Sequence, residues 1–205
     1  MDLQFRLATP SDAIEAAVLI ADTMRGYGIA TMGLGSRVRE ISILENWFAR
    51  PGNRFSYEFT WLALVDGQIT GLLLSLRGDR LAKLERALAQ GIFRLYNLPE
   101  IVRMLWRLTV LGRSDEAERD EYVLAHLAVV PQFQRRGIAL ALLEKAVEEA
   151  RKNGFSRLVL EVEIGNTPAE KLYERFGFTH LFTTQFNRHA QLLQCPGYHK
   201  LLKVV

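Results

Sequence analysis

The sequence predicts a mixed α/β fold from three observations. Its hydrophobic periodicity switches repeatedly between period two and the helical period, a two-residue turn joins two apolar runs as a hairpin, and a glycine-bearing loop links a buried strand to a long amphipathic helix. At 205 residues the chain has room for one sizeable core. Residues 1–205 therefore read as a single domain carrying a helical insertion at about 81–112. Hydrophobic residues make up 49% and charged residues 24%, a globular balance rather than a disordered or fibrous one.

Taken in order, Leu3, Phe5 and Leu7 alternate with polar neighbours as a strand, and Thr9-Pro10-Ser11-Asp12 starts a helix that runs to about Met24. The glycines between Gly26 and Gly35 predict a loop. Arg39 to Phe48 reads as a second helix, stopped by Arg50-Pro51-Gly52-Asn53. Trp61–Val65 and Ile69–Leu76 flank Asp66-Gly67, a hairpin signature. From Leu81 to Gly112 the period is helical, in two segments. The second, Pro99 to Leu111, is apolar except for Arg103 and Arg107, and is too short and too charged to span a membrane. It is expected to pack over the sheet, the competing reading being a contact with a partner subunit, including a second copy in a homodimer, or with a membrane surface. Ser114 to Glu121 is expected as an exposed connector and Tyr122 to Val130 as a buried strand.

Several function classes are excluded or left unsupported. The net charge of +3 is scattered, which argues against nucleic acid, although the adjacent Arg135-Arg136 suits a small phosphorylated ligand. His126, His180, His189, His199 and the single Cys195 follow no metal-ligand spacing, so no metal is expected. Cys195 reads as structural. The start Met1-Asp2-Leu3-Gln4-Phe5-Arg6 lacks the layout of a secretory signal, which points to the cytoplasm.

Chemistry enters after the Tyr122 strand, at Gln134-Arg135-Arg136-Gly137-Ile138-Ala139, which opens a helix running to Lys152. Gly137 permits a backbone closed to other residues, and the small Ala139 keeps the first turn clear, so several amides can converge on one anion with the helix dipole behind them. Leu142, Leu143, Ala146, Val147 and Ala150 form the stripe that anchors this helix. Neither a nucleotide P-loop nor a dinucleotide fingerprint fits the glycine spacing. In the next strand, Leu158, Leu160 and Val162 share one face, and Val159, Glu161 and Glu163 the other, which suggests a polar cleft. Thr167-Pro168-Ala169-Glu170 reads as a capping box for a short helix stopped by Gly177.

Together, the Gln134–Ala139 loop and the stretch from Leu160 through Asn166, Ala169, Leu172-Tyr173-Glu174 and Phe176-Gly177-Phe178 resemble the acyl-CoA site of the GNAT N-acetyltransferase superfamily. The resemblance is tight from Tyr122 to Phe182 and looser from Leu3 to Leu76. It implies a central mixed, mostly antiparallel sheet with splayed parallel fourth and fifth strands and helices on both faces. The Leu81–Gly112 insertion departs from the compact pattern. It also implies acetyl-CoA as cosubstrate, held by Leu127, Ala128, Val129, by Gln134, Arg135, Arg136, Gly137, Ile138, Ala139 and Leu140, and by Asn166 at the pantetheine. Tyr173 matches the family's general acid. Glu161 holds the base position of ribosomal-protein alanine N-acetyltransferases, with Glu163 or water as alternatives. Acyl transfer needs a neutral amine, a stabilised oxyanion and a proton for the thiolate. Val129 is the expected amide donor to the oxyanion. His126 falls on the opposite strand face and reads as a core histidine. The expected activity is transfer of an acetyl group to a primary amine of a small molecule or a peptide N-terminus. A CoA-binding sensor or structural module without turnover is the alternative.

Overall fold

The fold, taken from a computed structural model that describes residues 2–111, 117–186 and 195–205, is built on one seven-stranded sheet. The strands are β1 (Leu3–Leu7), β2 (Thr60–Val65), β3 (Gln68–Arg77), β4 (Tyr122–Val129), β5 (Arg157–Glu163), β6 (Thr179–Gln185) and β7 (Gly197–Val204), in spatial order β1-β2-β3-β4-β5-β7-β6. The β4–β5 pair is parallel and every other pair antiparallel. This is the mixed sheet, parallel at its fourth and fifth strands, that the resemblance implies. The Asp66-Gly67 turn has φ of 50° and 76°, as a two-residue hairpin loop requires.

Helices cover both faces. On one lie α1 (Ala13–Thr31), α2 (Arg37–Phe48), α3 (Gly78–Leu95) and α4 (Leu98–Leu111), whose apolar sides meet Leu62, Leu72, Leu74, Val123 and Val159. On the other lie α5 (Ile138–Lys152) and α6 (Thr167–Phe176), over Leu73, Leu124, Leu158, Leu160 and Val162. The predicted period-two split of β5 is therefore the split between the two cores.

Four local expectations change. The Gly26–Gly35 segment is mostly helix: α1 continues to Thr31 past a kink at Arg25. A Cβ on Gly28 would lie 1.9 Å from Glu40 Oε1, so that glycine permits close helix packing rather than breaking the helix. The second helix begins at Arg37, capped by Ser36 Oγ accepting from the Arg39 amide at 3.3 Å. Helix α6 has Asn166 rather than Thr167 at its N-cap position, with no side-chain capping bond, and in place of the expected capping box the Gly165 amide donates to Glu170 Oε1 at 3.2 Å. The connector expected at Ser114–Glu121 lies partly outside the described residues, and its last residue, Glu121, is buried between Lys200 Nζ at 3.0 Å and Arg157 Nη2 at 2.8 Å. An ion pair makes burial of that carboxylate tolerable.

The apolar α4 packs against α1 and α3, with its buried side in the same core as the sheet residues of that face. Ile101 and Met104 are buried, Arg107 donates to the Ala30 carbonyl, and Val102, Leu105 and Trp106 face outward. No helix among the described residues is long and apolar enough to cross a membrane.

Candidate active site

The site begins with a defect in strand pairing. Opposite β3, Leu74 meets His126 while Ser75 meets Leu124, which leaves Ala125 as an extra residue in β4. Such a bulge bends the strand that carries it. Parallel pairing with β5 accordingly covers only Tyr122–Leu124 against Leu158–Leu160, while β5 stays paired to β7 as far as Glu163. The strands part beyond that point and open a gap through the sheet. The Val130 amide donates to the Thr70 carbonyl at 2.9 Å, towards β3. Successive amides of a strand point to opposite sides, so those of Val129 and Leu127 face the gap, and the Val129 carbonyl accepts from Gln134 Nε2 at 3.1 Å.

At the end of β4 the chain turns into α5 through two left-handed residues, Arg135 at φ 61° and Gly137 at φ 84°. Alternation of this kind makes the concave run of amides that binds anions, and the first amides of α5 have no intrahelical acceptor. The helix is held close to the sheet because β3 carries Gly71, where a Cβ would meet Leu142 Cδ1 and the Ala128 carbonyl at 3.0 Å. Gln134, Arg135, Arg136, Gly137 and Leu140 are exposed, Ala139 is half-buried, and the Ile138 side chain is buried beneath the loop. Ile138 can therefore offer a ligand only its amide. The Arg136 guanidinium lies over the Phe133 ring, 5.3 Å from its centroid.

A cavity of about 520 Å³ passes through the gap, within the usual size range of small-molecule sites. Asn166, Ala169 and Tyr173 line its α6 end, Leu127, Ala128, Val129, Gln134 and Glu161 its waist, and Thr23, Tyr27, Phe55 and His126 its far side. Of the predicted site residues, these strand positions, Gln134, Glu161, Asn166 and Tyr173 share one cavity. Arg135 to Leu140 lie outside its lining, on the loop at the start of α5.

Tyr173 is almost fully buried and edge-on to Phe178 at 5.8 Å. Burial pushes its phenol up to about 12, so it is a proton-bearing group throughout the physiological range. Glu161 and Glu163 are both half-buried on the cavity side of β5. Burial raises the Glu163 carboxyl, and Arg25 Nε at 3.7 Å opposes that rise. Arg25 sits at the α1 kink with φ 47° and ψ −130°, a region essentially reserved to glycine, so the backbone is strained where it delivers this charge.

His126 faces α1, as its strand position predicts. Thr23 Oγ1 donates to the Ile20 carbonyl at 2.6 Å, so the 2.7 Å contact with His126 Nδ1 has the imidazole as donor. The ring stacks on Phe55 at 5.7 Å. Burial, with a smaller contribution from Arg54, lowers its pKa to about 3, so it stays neutral. Its Nε2 is buried with no hydrogen-bond partner among the described residues. Cys195 is buried, and its thiol is pushed up by burial, away from the range of a reactive thiolate.

The rest of the lining comes from elsewhere in the chain, much of it from the regions that the sequence leaves for the acceptor pocket: the Gly26–Gly35 segment, the inserted helices and Phe182 to Tyr198. Arg25 lies just past the expected end of the first helix, and Tyr27 falls in the segment expected to be a loop. Tyr198, which meets Tyr27 at 6.2 Å and Phe186 at 5.6 Å, lies on β7, and Trp47, Leu88, Ile92, Met104 and Leu108 reach the cavity from α2, α3 and α4. No spacing in the sequence links these positions. Among the described residues no cluster of His, Cys, Asp and Glu could hold a metal ion.

Similar proteins share this architecture. The S. aureus Mu50 N-acetyltransferase structure superposes with a TM-score of 0.72 over 98% of this chain and 100% of its own, at 24% identity, a likeness of fold. The [ribosomal protein bS18]-alanine N-acetyltransferase of Escherichia coli K12 is 46% identical over 59 residues, 29% of this chain and 40% of that enzyme. N-alpha-acetyltransferase 30 of Schizosaccharomyces pombe is 36% identical over 55 residues, 27% of this chain and 37% of its own length. The chain thus spans well under half of these curated relatives. The model of the acetyltransferase (GNAT) family matches residues 36–178, a span that begins before α2 and ends after α6, and on that match the chain belongs to the GNAT acetyltransferase family.

Proposed function

We propose that the chain is an N-acetyltransferase, one catalytic unit over residues 1–205, that moves an acetyl group from acetyl-CoA to a primary amine of a small molecule or a peptide N-terminus. The carrying observation is the single cavity that crosses the sheet at the β4–β5 gap and brings Tyr173 and Asn166 to the same space as Glu161 and Glu163. The E. coli and S. pombe relatives, one named for an alanine N-acetyltransferase and the other for an N-alpha-acetyltransferase, favour a peptide N-terminus.

The residues fit a CoA thioester. The left-handed pair Arg135 and Gly137 and the first amides of α5 form a cradle for a pyrophosphate, with Arg135 and Arg136 adding charge. Asn166 offers an amide side chain to the pantetheine, and the gap-facing backbone of Leu127, Ala128 and Val129 offers a strand edge to the same arm. When bound, the thioester supplies an activated acyl carbon and a leaving thiolate.

Around it, the Val129 amide stabilises the developing oxyanion. Glu161 takes the ammonium proton directly or through water, and the nitrogen lone pair then forms the new C–N bond as the C–S bond breaks. Tyr173 gives its proton to the departing thiolate, the second proton on the new amide nitrogen leaves to water, and the Tyr173 phenolate is reprotonated from solvent. The phenol, at about 12, is a weak acid beside a solvated thiol of about 8.5. The same burial that raises the phenol also raises a thiolate left beside it, which narrows the gap. A panel of amines and N-terminal peptides, assayed for free CoA and for acetylated product, tests the proposal. Absence of acetyl-CoA binding by calorimetry overturns it.

A further inference from the structure

The cavity holds more room than an acetyl group fills, and its walls change character beyond the gap. The rim near the end of β5 carries Asp22, Glu163 and Tyr198, whereas the interior under the inserted helices is lined by Trp47, Phe55, Leu88, Ile92, Met104 and Leu108. The polar groups inside are already engaged or neutral. The Thr31 hydroxyl donates to the Tyr27 carbonyl at 2.7 Å, Arg54 pairs with Glu85 at 3.3 Å and lies over the Phe55 ring at 5.6 Å, and His126 is uncharged.

Two parts of a reacting complex must be housed on this face of the sheet, the acyl tail and the amine acceptor. An amine arrives as an ammonium ion, and its desolvation in an apolar interior is costly, so the carboxylate-bearing rim suits it. A thioester arm entering from Asn166 and Tyr173 and crossing the gap directs whatever lies beyond its carbonyl carbon at His126 and Phe55, the entrance to the apolar interior.

Resting on the acyl-CoA reading above, we propose that the chamber beneath α3 and α4 is an acyl-chain subsite, and that the enzyme accepts saturated acyl-CoA donors longer than acetyl, of about four to eight carbons. The insertion at 78–111 thereby sets donor chain length. Each methylene moved from water into the chamber tightens binding about fourfold at most. Ordering the chain takes back part of this gain.

Calorimetric titration of the whole chain with CoA, acetyl-CoA, butyryl-CoA, hexanoyl-CoA and octanoyl-CoA tests the subsite without knowledge of the acceptor. The expected result is a stepwise gain, with hexanoyl-CoA bound on the order of tenfold or more tighter than acetyl-CoA. Filling the chamber with Ile92→Trp, or with Met104→Phe should the first variant lose its thermal transition, is expected to abolish that gain while CoA and acetyl-CoA bind as before. Equal affinities for acetyl-CoA and hexanoyl-CoA, with CoA binding intact, overturn the subsite alone. Failure of CoA itself to bind overturns the donor-site reading and the subsite with it.

Discussion

The two faces of the sheet contribute to the cavity in different ways. Towards the α5–α6 face, the walls come from Leu127, Val129, Pro131 and Gln134 at the end of β4 and from Val162, Asn166, Ala169 and Tyr173 after β5, each a strand running directly into a turn and a helix. Backbone geometry does most of the positioning there: a bulge at Ala125, left-handed residues at 135 and 137, and a glycine at 71 that lets α5 sit close. On the α1–α4 face, the walls are side chains from four helices, from Arg54 and Phe55, from His126, Glu161 and Glu163 on the strands and from the start of β7, drawn from positions 22 to 198. That face also carries the strained Arg25 and the buried Glu40. A backbone-built half tolerates little variation in its chain but accepts one ligand chemistry. A half built from side chains can change its ligand without changing the fold, which is where substrate specificity is free to vary.

Substitutions on the two faces should therefore fail differently. The largest expected effect is on the α6 side: Tyr173→Phe lowers kcat by about 10²–10⁴-fold and leaves the Kd for CoA within about twofold by calorimetry. Equal losses in CoA affinity and turnover would make Tyr173 a packing residue instead. Next comes the shared foundation of both halves. Lys200→Met leaves Glu121 without its Lys200 partner at the root of β4, and about 3 kcal/mol of stability is expected to go, measured by urea unfolding.

On the α1–α4 face, the prediction concerns pH. Burial pushes Glu40 up to about 7, against the opposing pull of Arg37, from an ordinary 4.5. The folded state holds the proton more tightly than the unfolded chain does, so stability is greatest below about 4.5 and falls as pH rises through about 7. Glu40→Gln should remove this slope, about 2–3 kcal/mol across the window, in urea midpoints taken between pH 5 and 8. A slope unchanged in the variant would assign it to Glu163, whose carboxyl is raised in the same direction. The smallest effect belongs to the exposed loop at 134–137 that is proposed to hold the pyrophosphate, where Arg135→Ala should weaken CoA about three- to tenfold and reduce the salt dependence of binding. The Gly137→Ala exchange, at a positive φ with open space around the Cβ, should cost about 1 kcal/mol of stability through backbone strain alone.

The legibility of the site in the sequence follows the same division. Gln134 to Ala139 and Asn166 to Tyr173 were readable because turn chemistry, helix starts and glycine conformations are local, and such signals survive in a linear string. Glycine was also where the reading went wrong. Gly26 and Gly28 signal a loop by type, but Gly28 exists for a neighbour, Glu40, that only the packed helix pair brings within reach. The charges at the end of the acidic stretch were read as exposed for the same reason: Glu121 becomes a core residue only because Arg157 on β5 and Lys200 on β7, both far along the chain, lie beside it. The strands β6 and β7, and the edge-on pairing of Tyr27 with Tyr198, carried no hairpin signal to announce them.

The sequence by itself determined the alternation of strands and helices, the split of β5 between two cores, the glycine turn from β4 into α5 and the two motifs that carry the family resemblance. Tertiary structure decided that β4 and β5 part at Ala125, that Arg25 turns back onto Glu163, and that the 78–111 insertion brings Leu88, Ile92, Met104 and Leu108 to the cavity. Local conformational preference is written in consecutive residues. A cavity is the space left between segments distant in the chain, and its shape exists only once they have packed.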